Sequence, residues 1–572
     1  MTFSVLNLPL LRQAQHYSYA LFKQDLVASM IVAVMLMPQS LAYSMLAGLP
    51  PVVGLYASIL PLLIYALLGS SRTLSVGPVA IASLMTASAL GELGATTGLS
   101  YAQGATLLAL MSGCIMLLLG LFRFGFVSNF LSHSVVAGFI SASGLLIALG
   151  QLSSVSGFNP SESISASIHL QTLCIGGGAL AFLVWSRHSA QATFMSIGLS
   201  QANSQLLTKL APLLGVLLST ALVYILALDQ SGVKIVGVVP VGLPSLVLPE
   251  ISFLALESLF IPALLISLIG YVESYSVGKT LGSKRQQKVD GNQELVALGA
   301  ANVASSMVGA FPVTGGFSRS VVNFDAGART QFASIFTALM MALAAMFLTP
   351  YLYYLPKAML AATIIVAVLS LLDIAGFKKT WRHSKSDFLA MSVTVMVTLI
   401  IGVEAGVACG VIVSILLHLY YTSKPHIAEV GLVPGTQHFR NIKNYTVETN
   451  PRVISLRVDE SLLFSNVSFL QDYIDQRLLQ ADQVEHIVLV ATAINTIDYS
   501  ALEMLEELDR ELQKRGIKLH FSELKIPVYD CLHRSDFFTH LSGQLFFSQY
   551  QAHTELAGKS MGSIRLPDYQ NT

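Results

Sequence analysis

The sequence predicts a polytopic α-helical membrane domain over residues 1–424 and a small soluble α/β domain over residues 425–572. Three observations carry this. The 572 residues are 53% hydrophobic and only 11% charged, whereas an ordinary soluble domain carries about 25% charged residues. Of the 32 basic and 32 acidic residues, about half follow Pro425, in roughly a quarter of the length. Before that point apolar stretches of bilayer-spanning length recur; after it, strand and helix patterns alternate. A wholly soluble enzyme, a disordered chain and a disulfide-rich secreted scaffold are excluded. The formal net charge of zero gives no bulk attraction for nucleic acid. Cys114, Cys174, Cys409 and Cys531 lie too far apart for a disulfide framework or a zinc site. No Gly-rich nucleotide loop with a following Lys-Ser/Thr occurs, so neither an ATP-driven step nor a cofactor is expected.

Taken in order, the spans of the first half cover residues 26–46, 52–68, 102–122, 127–149, 170–185 and 210–228. Those of the second cover 254–277, 295–310, 332–348, 359–372, 388–401 and 406–421. Most reach or approach the ~17–25 apolar residues a helix needs to cross a bilayer. Two more segments, starting near Gly77 and Gly315, are too short and too broken by Gly and Pro to be full helices. Together they make about 14 passes or part-passes. The N-terminal stretch lacks a compact basic start and a small-residue cleavage site, so it does not read as a cleaved signal peptide.

Positive charge sets the orientation. With the N-terminus inside, Arg72, Arg123, Arg187, Lys284, Arg285, Lys288, Arg329, Lys378, Lys379, Arg382 and Lys385 all face the cytoplasm. The opposite side keeps little beyond Lys234 and Lys357, with Glu92, Glu162, Glu250 and Glu404. The even number of spans returns the soluble tail to the cytoplasm as well, in a cell inner (plasma) membrane.

The two broken segments, 73–80 and 311–320, occupy matching third places if the chain divides into two seven-span repeats near residues 232–252. Short, Gly/Pro-interrupted segments in corresponding places of two halves point to a transporter's midplane site. Extended backbone at membrane depth is tolerated only where it lines a cavity or is buried in protein. A half-helix starting there aims free N–H groups and a positive dipole end into that cavity. Pro78 suits the first turn of such a helix. Two facing N-termini make an anion site with little fixed positive charge.

Intramembrane polar residues fill in the site. Glu273 lies deep in an apolar run, where an ionised carboxylate costs at least about 2.5 kcal/mol. Protonation removes that cost, which suits proton coupling. Arg319, just inside the second half-helix, is placed to pair with an anion or with Glu273. Gln39 and Tyr43, four apart on one face of the first helix, offer an amide and a phenol to the same cavity. His133 and His188 fall at membrane ends and receive no role.

At these residues the chain resembles the sulfate permease (SulP) family, which includes the solute carrier 26 anion exchangers. The motifs are Pro38-Gln-Ser-Leu-Ala-Tyr43 and its continuation to Tyr56, the stretch from Gly69 to Pro78, Tyr271-Val-Glu-Ser274, Asn292-Gln-Glu294, residues 311–320 and Gly327-Ala-Arg-Thr330. The resemblance covers essentially the whole chain. It implies a seven-plus-seven inverted repeat with core and gate domains, moving as an elevator, in a homodimer. It also implies that the anion contacts Gln39, Tyr43, Val79, Ala80, Phe317, Ser318, Arg319 and Ser320, with Glu273 close by. Some animal relatives carry an aromatic where this chain has Val79, so their halide preference does not transfer. Glu273 matches a position linked to protons in sulfate-type members, whereas sodium-coupled members tend toward aspartate. The expected activity is therefore secondary active, non-enzymatic uptake of sulfate with protons. Sodium-coupled bicarbonate transport, proton-coupled dicarboxylate transport, a channel and a non-transporting scaffold stay open as alternatives.

In the tail, residues 452–458 read as a half-exposed strand and 485–490 as a buried one. Residues 500–515 form an amphipathic helix with Leu502, Leu505, Leu508 and Leu512 on one face, stopped by Gly516, and 518–522 form another strand. Ile497-Asp-Tyr-Ser-Ala501 resembles the loop of STAS domains, in which Ser500 falls at the phosphorylatable serine of bacterial anti-sigma-factor antagonists. Ser500 would alternatively be an ordinary N-cap. The resemblance implies a role in assembly, trafficking or regulation through a cytoplasmic partner.

Overall fold

The computed structural model describes residues 9–91, 99–129, 132–158, 169–198, 200–369, 372–481 and 483–557; Glu92 and Glu162 lie outside them. It divides into two compact units, Met1–Ser414 and Ile415–Thr572.

The first half of the membrane unit runs α1 (Tyr19–Leu46), α2 (Pro51–Tyr56), α3 (Leu60–Leu68), β1 (Val76–Gly77), α4 (Ala80–Gly91), α5 (Tyr101–Leu121), α6 (His133–Ser156), α7 (Leu170–His188) and α8 (Gln201–Ile225). The second runs α9 (Phe253–Ser283), α10 (Gly291–Met307), β2 (Thr314–Gly315), α11 (Phe317–Asp325), α12 (Phe332–Phe347), α13 (Lys357–Leu369), α14 (Ile374–His383), α15 (Lys385–Ile400) and α16 (Val403–Thr422). Counting α2 with α3, β1 with α4 and β2 with α11 as single passes, each half contributes seven; α14 is an extra helix between two passes.

Local chemistry explains several boundaries. Ser18 caps α1 by accepting from the Leu21 N–H at 3.4 Å, which starts the first span earlier than its apolar run. The second pass, expected as one helix, breaks at residues 57–59. Pro61 cannot donate to the Ala57 carbonyl, and Ser58 turns its hydroxyl to Gly54 O (2.8 Å) and Ser40 Oγ (2.7 Å). Pro78 lies just before α4, not in its first turn. Helices α5 and α10 approach backbone to backbone: a Cβ on Gly113 would sit 2.8 Å from Gly299 O, and one on Gly299 would sit 2.8 Å from Gly113 O. Glycine at both positions is what lets the two halves touch there. The division between units falls inside α16, ahead of the charge break at Pro425.

The soluble unit is a six-stranded sheet in the order β4-β3-β5-β6-β7-β8. Its strands are β3 (Ile427–Leu432), β4 (Phe439–Asn441), β5 (Val453–Val458), β6 (His486–Val490), β7 (Lys518–Ser522) and β8 (Leu545–Phe546). The strands from β5 to β8 are parallel, while β3 is antiparallel to both β4 and β5. Strand β5 is buried along nearly its whole length, which corrects the half-exposed expectation. One face joins the main core through Ile454, Leu456 and Val458. On the other, Val453 packs with Val488, Phe546 and Ala552, and Ser455 Oγ accepts from Gln549 Nε2 at 2.8 Å. Leu502, Leu505, Leu508 and Leu512 are buried as predicted, on α18 (Tyr499–Lys514), which follows α17 (Val467–Leu478). Ser500 is not the cap of α18. Asp498 is, accepting from Ala501 N at 2.8 Å, and Ser500 stands exposed in the first turn.

Candidate functional site

Helices α1 and α9 each pack against both half-helices, α4 and α11. Between them the chain crosses itself. Val76 pairs with Gly315 and Gly77 with Thr314 in an antiparallel bridge joining the two halves. Extended backbone at this depth needs internal partners, and it has them. Gly316 N donates to Ser75 O (3.1 Å) and Gly315 N to Ser274 Oγ (2.8 Å). The side chain of Asn302 holds both polar groups of Val313, at 2.8 and 2.9 Å. Asn323 Nδ2 donates to Thr73 O at 3.0 Å. The first intrahelical bonds run from Ser83 N to Val79 O and from Ser320 N to Gly316 O. The N–H groups of Ala80 to Ala82 and of Phe317 to Arg319 therefore precede the helical ladder, and no side chain caps Gly316.

Arg319 is 2% exposed, and neither Nη1 nor Nη2 has a hydrogen-bond partner. Its guanidinium lies along the crossing: a Cβ on Gly77 would come within 3.1 Å of Nη1, and one on Gly316 within 2.8 Å of Nε. Three more buried atoms on the same segments lack partners, namely Ser75 Oγ, Thr314 Oγ1 and Asn323 Oδ1. Buried polar groups are rarely left so, and all five atoms belong to the two crossing segments and the helix α11 that follows the second.

Of the predicted residues, Gln39, Tyr43, Val79 and Ala80 are buried, and Tyr43 and Glu273 both interact electrostatically with Arg319. Glu273 is half-buried in a crevice lined by Ile81, Met85, Ile266, Ile269 and Thr314. It forms no ion pair with Arg319, whose guanidinium is laid along Gly77 and Gly316, so the second of the two partners offered for Arg319 is not engaged. Phe317 and Ser318 are exposed at the opening of α11. Ser320 is committed elsewhere. Its hydroxyl donates to Gly316 O (2.7 Å) and accepts from Ser75 N (3.0 Å), and its own N–H is in the helix, so it braces the crossing.

Sequence reasoning missed two buried carboxylates that hold the approaches to this site. Glu294 accepts from Tyr65 Oη, Ser70 N and Ser70 Oγ, each at 2.8 Å, and from Ser71 N at 3.1 Å, in the loop leading to β1. Asp25 accepts from Arg329 N (2.7 Å), Thr330 N (3.2 Å) and Thr330 Oγ1 (2.5 Å), in the loop leaving α11. Gln331 joins the two loops by donating to Gly69 O and Ser71 O.

The model of the sulfate permease family matches residues 22–394, which include every segment of this crossing. The chain belongs to that family. A STAS domain matches residues 444–552. The chain is 33% identical to sulfate transporter 4.1, chloroplastic, of Arabidopsis thaliana, over 96% of this chain and 82% of the relative. It is 31% identical to high affinity sulfate transporter 2 of Stylosanthes hamata, over 92% and 83%. Among solved structures, the murine solute carrier 26 family member A9 anion transporter superposes with a TM-score of 0.86 at 24% identity, over 97% of this chain and 94% of the other. The transmembrane domain of the cyanobacterial bicarbonate transporter BicA gives 0.58 at 20% identity, over 68% and 98%. Both likenesses concern the fold, the first over nearly the whole chain and the second over the membrane part.

Proposed function

We propose that this sulfate permease family member is a secondary active transporter of sulfate, driven by protons. One observation carries the reading: a buried guanidinium with both terminal nitrogens unpartnered, set where two half-helices open toward each other. Backbone N–H groups and Arg319 together recognise a tetrahedral oxyanion without a second cation. Gln39, Tyr43, Val79, Ala80, Phe317 and Ser318 complete the surroundings. The names of the plant relatives support sulfate over other anions. Movement of α4 and α11 as one body, joined through β1 and β2, would carry the anion across in an elevator step.

Coupling follows from charge. A divalent anion entering a negative cell works against about 2.3 kcal/mol per charge per 100 mV, so a cation must accompany it. Glu273 borders the site and is not ion-paired, and protonating it removes a negative charge beside the anion. Proton and anion binding are then mutually favourable. The test is labelled sulfate uptake into proteoliposomes with an imposed pH step, competed by bicarbonate, chloride, oxalate and fumarate. Glu273→Gln is expected to keep sulfate exchange and lose accumulation driven by the pH step. Accumulation unchanged in Glu273→Gln removes that residue from coupling. Sodium dependence with bicarbonate as the effective competitor replaces this reading with sodium–bicarbonate symport.

A further inference from the structure

Helix α14 has no buried residue, although it stands between two membrane passes. Its sequence sorts by face. At the helical repeat, Ile374, Phe377 and Trp381 share one edge, while Lys378, Arg382, Lys379 and His383 fan out beside it. Ile374 is 77% exposed and Trp381 57% exposed. Lys378, Lys379, Arg382, His383 and, one residue past the C-cap, Lys385 are exposed as well. The two neighbouring carboxylates do not neutralise them. Asp373 is turned to the Gly376 N–H at 2.8 Å as the N-cap, and Asp387 lies in the first turn of α15. Among the described residues, Lys378, Lys379, Arg382 and Lys385 form no ion pair. Ala375 floors a basin between Lys378, Lys379, Arg382 and His383. Trp381 is fixed edge-on against Phe388 at 4.7 Å, tying the helix to the start of α15.

From this arrangement we infer that α14 is an anionic-lipid docking surface. The occupant is the phosphate of a membrane phospholipid such as phosphatidylglycerol, held in the basic basin. The edge carrying Ile374, Phe377 and Trp381 lies against the first methylenes of the acyl chains. Charge complementarity and position both select lipid. A short basic amphipathic helix beside a membrane span is built to lie in the headgroup layer, and tryptophan settles at that depth. Four unpaired cations match the negative surface of a leaflet rich in anionic lipid. A free anion would need only the basin and would leave the apolar edge unexplained.

The chain contains two tryptophans, Trp185 and Trp381, so Trp185→Phe leaves Trp381 as the sole reporter; Trp185→Tyr is the second background. The full-length protein is reconstituted in mixed phosphatidylcholine and phosphatidylglycerol vesicles, with brominated chains on one lipid or the other at equal mole fraction. Brominated phosphatidylglycerol is expected to quench Trp381 more strongly than brominated phosphatidylcholine. That preference should weaken with salt. It should fall by up to about five-fold for each cation removed in the series Lys378→Gln, Lys379→Gln and Arg382→Gln. Lys378→Arg/Lys379→Arg, which keeps the charge, should retain it. Equal quenching by both lipids, or a preference that survives the triple glutamine variant, overturns the proposal. Quenching by neither lipid overturns it too, since the apolar edge is then covered by protein.

Discussion

The two units handle most of their charge differently, although the soluble unit also seats one buried acid, Asp509, on the N–H and hydroxyl of Ser542. In the soluble unit, cations meet carboxylates directly: Arg457 with Asp459 at 2.6 Å, Arg477 with Glu429 at 2.7 Å and Arg515 with Asp475 at 3.0 Å. All three pairs reach water, where such contacts contribute little. In the membrane unit, Asp25 and Glu294 are 0% exposed and are held by backbone N–H groups and hydroxyls instead of by cations. A buried ion pair costs two desolvations; a carboxylate seated on backbone dipoles costs one, and fixes a loop as it does so. Arg319 then stands out as a buried cation given no fixed acceptor, as a group reserved for a mobile anion would be.

Breaking a backbone-held carboxylate should have the largest effect. Glu294→Ala strips acceptors from the N–H groups of Ser70 and Ser71 and from the Tyr65 and Ser70 hydroxyls. A loss of about 3 kcal/mol is expected, read as a lower unfolding temperature in detergent together with lost uptake. Arg319→Ala should separate affinity from stability. Removing a charge-assisted contact worth about 1.5–3 kcal/mol weakens sulfate binding roughly ten- to a hundred-fold. The unfolding temperature should hardly move, since no protein partner is orphaned. Equal losses in both measurements would place Arg319 among the structural residues.

Smaller effects belong to the soluble unit. His520 Nδ1 accepts from Gln544 N at 3.0 Å, and its Nε2 faces His486 Nδ1 at 3.1 Å. Burial, and then the charges of His486 and Lys518, push His520 down to about 4; burial lowers His486 as well. A depressed histidine leaves the unfolded chain binding more protons between its ordinary value near 6.5 and about 4. Stability of the sheet should therefore be full above about 6.5, fall as pH drops toward about 4, and level off below. Hydrogen exchange of the β6 and β7 amides across that range checks the sign, and His520→Gln should flatten the profile. The smallest change is expected for Arg477→Gln, which breaks a half-buried bidentate pair that still reaches water. It should cost about 1 kcal/mol or less in urea unfolding.

The same contrast explains what could be read from the sequence. Most spans, the two broken segments and the burial of Leu502 to Leu512 are local patterns, written in runs of adjacent residues. Glu273 and Arg319 were legible because a charge inside an apolar run is conspicuous. Asp25 and Glu294 were not. Each stands near the end of a span, where an acid looks water-facing, and its partners lie 304 and 223 residues away for Arg329 and Ser71. Nothing adjacent to Ser320 reveals that its hydroxyl is spent on Ser75. The break in the second pass was visible in principle at Pro61, but Ser58 and Ser40 complete it through space. Helix α14 was read only as a run of positive charge, because ten residues are too few for periodicity to announce a separate element.

The crossing of β1 and β2 also sets a timetable. Ser75 and Ser320, which brace it, are 245 residues apart. At about 5–20 residues per second, synthesis separates them by roughly 12–50 s. For that interval Ser75, Val76 and Gly77 lack their partners from the second half, while the spans around them are already entering the bilayer. Their backbone groups must be hydrated or held by an insertion factor until Thr314 and Gly315 arrive, because lipid offers them no hydrogen bond. The feature that makes the finished site is thus also the feature that delays it: neither half of this protein can complete its own centre alone.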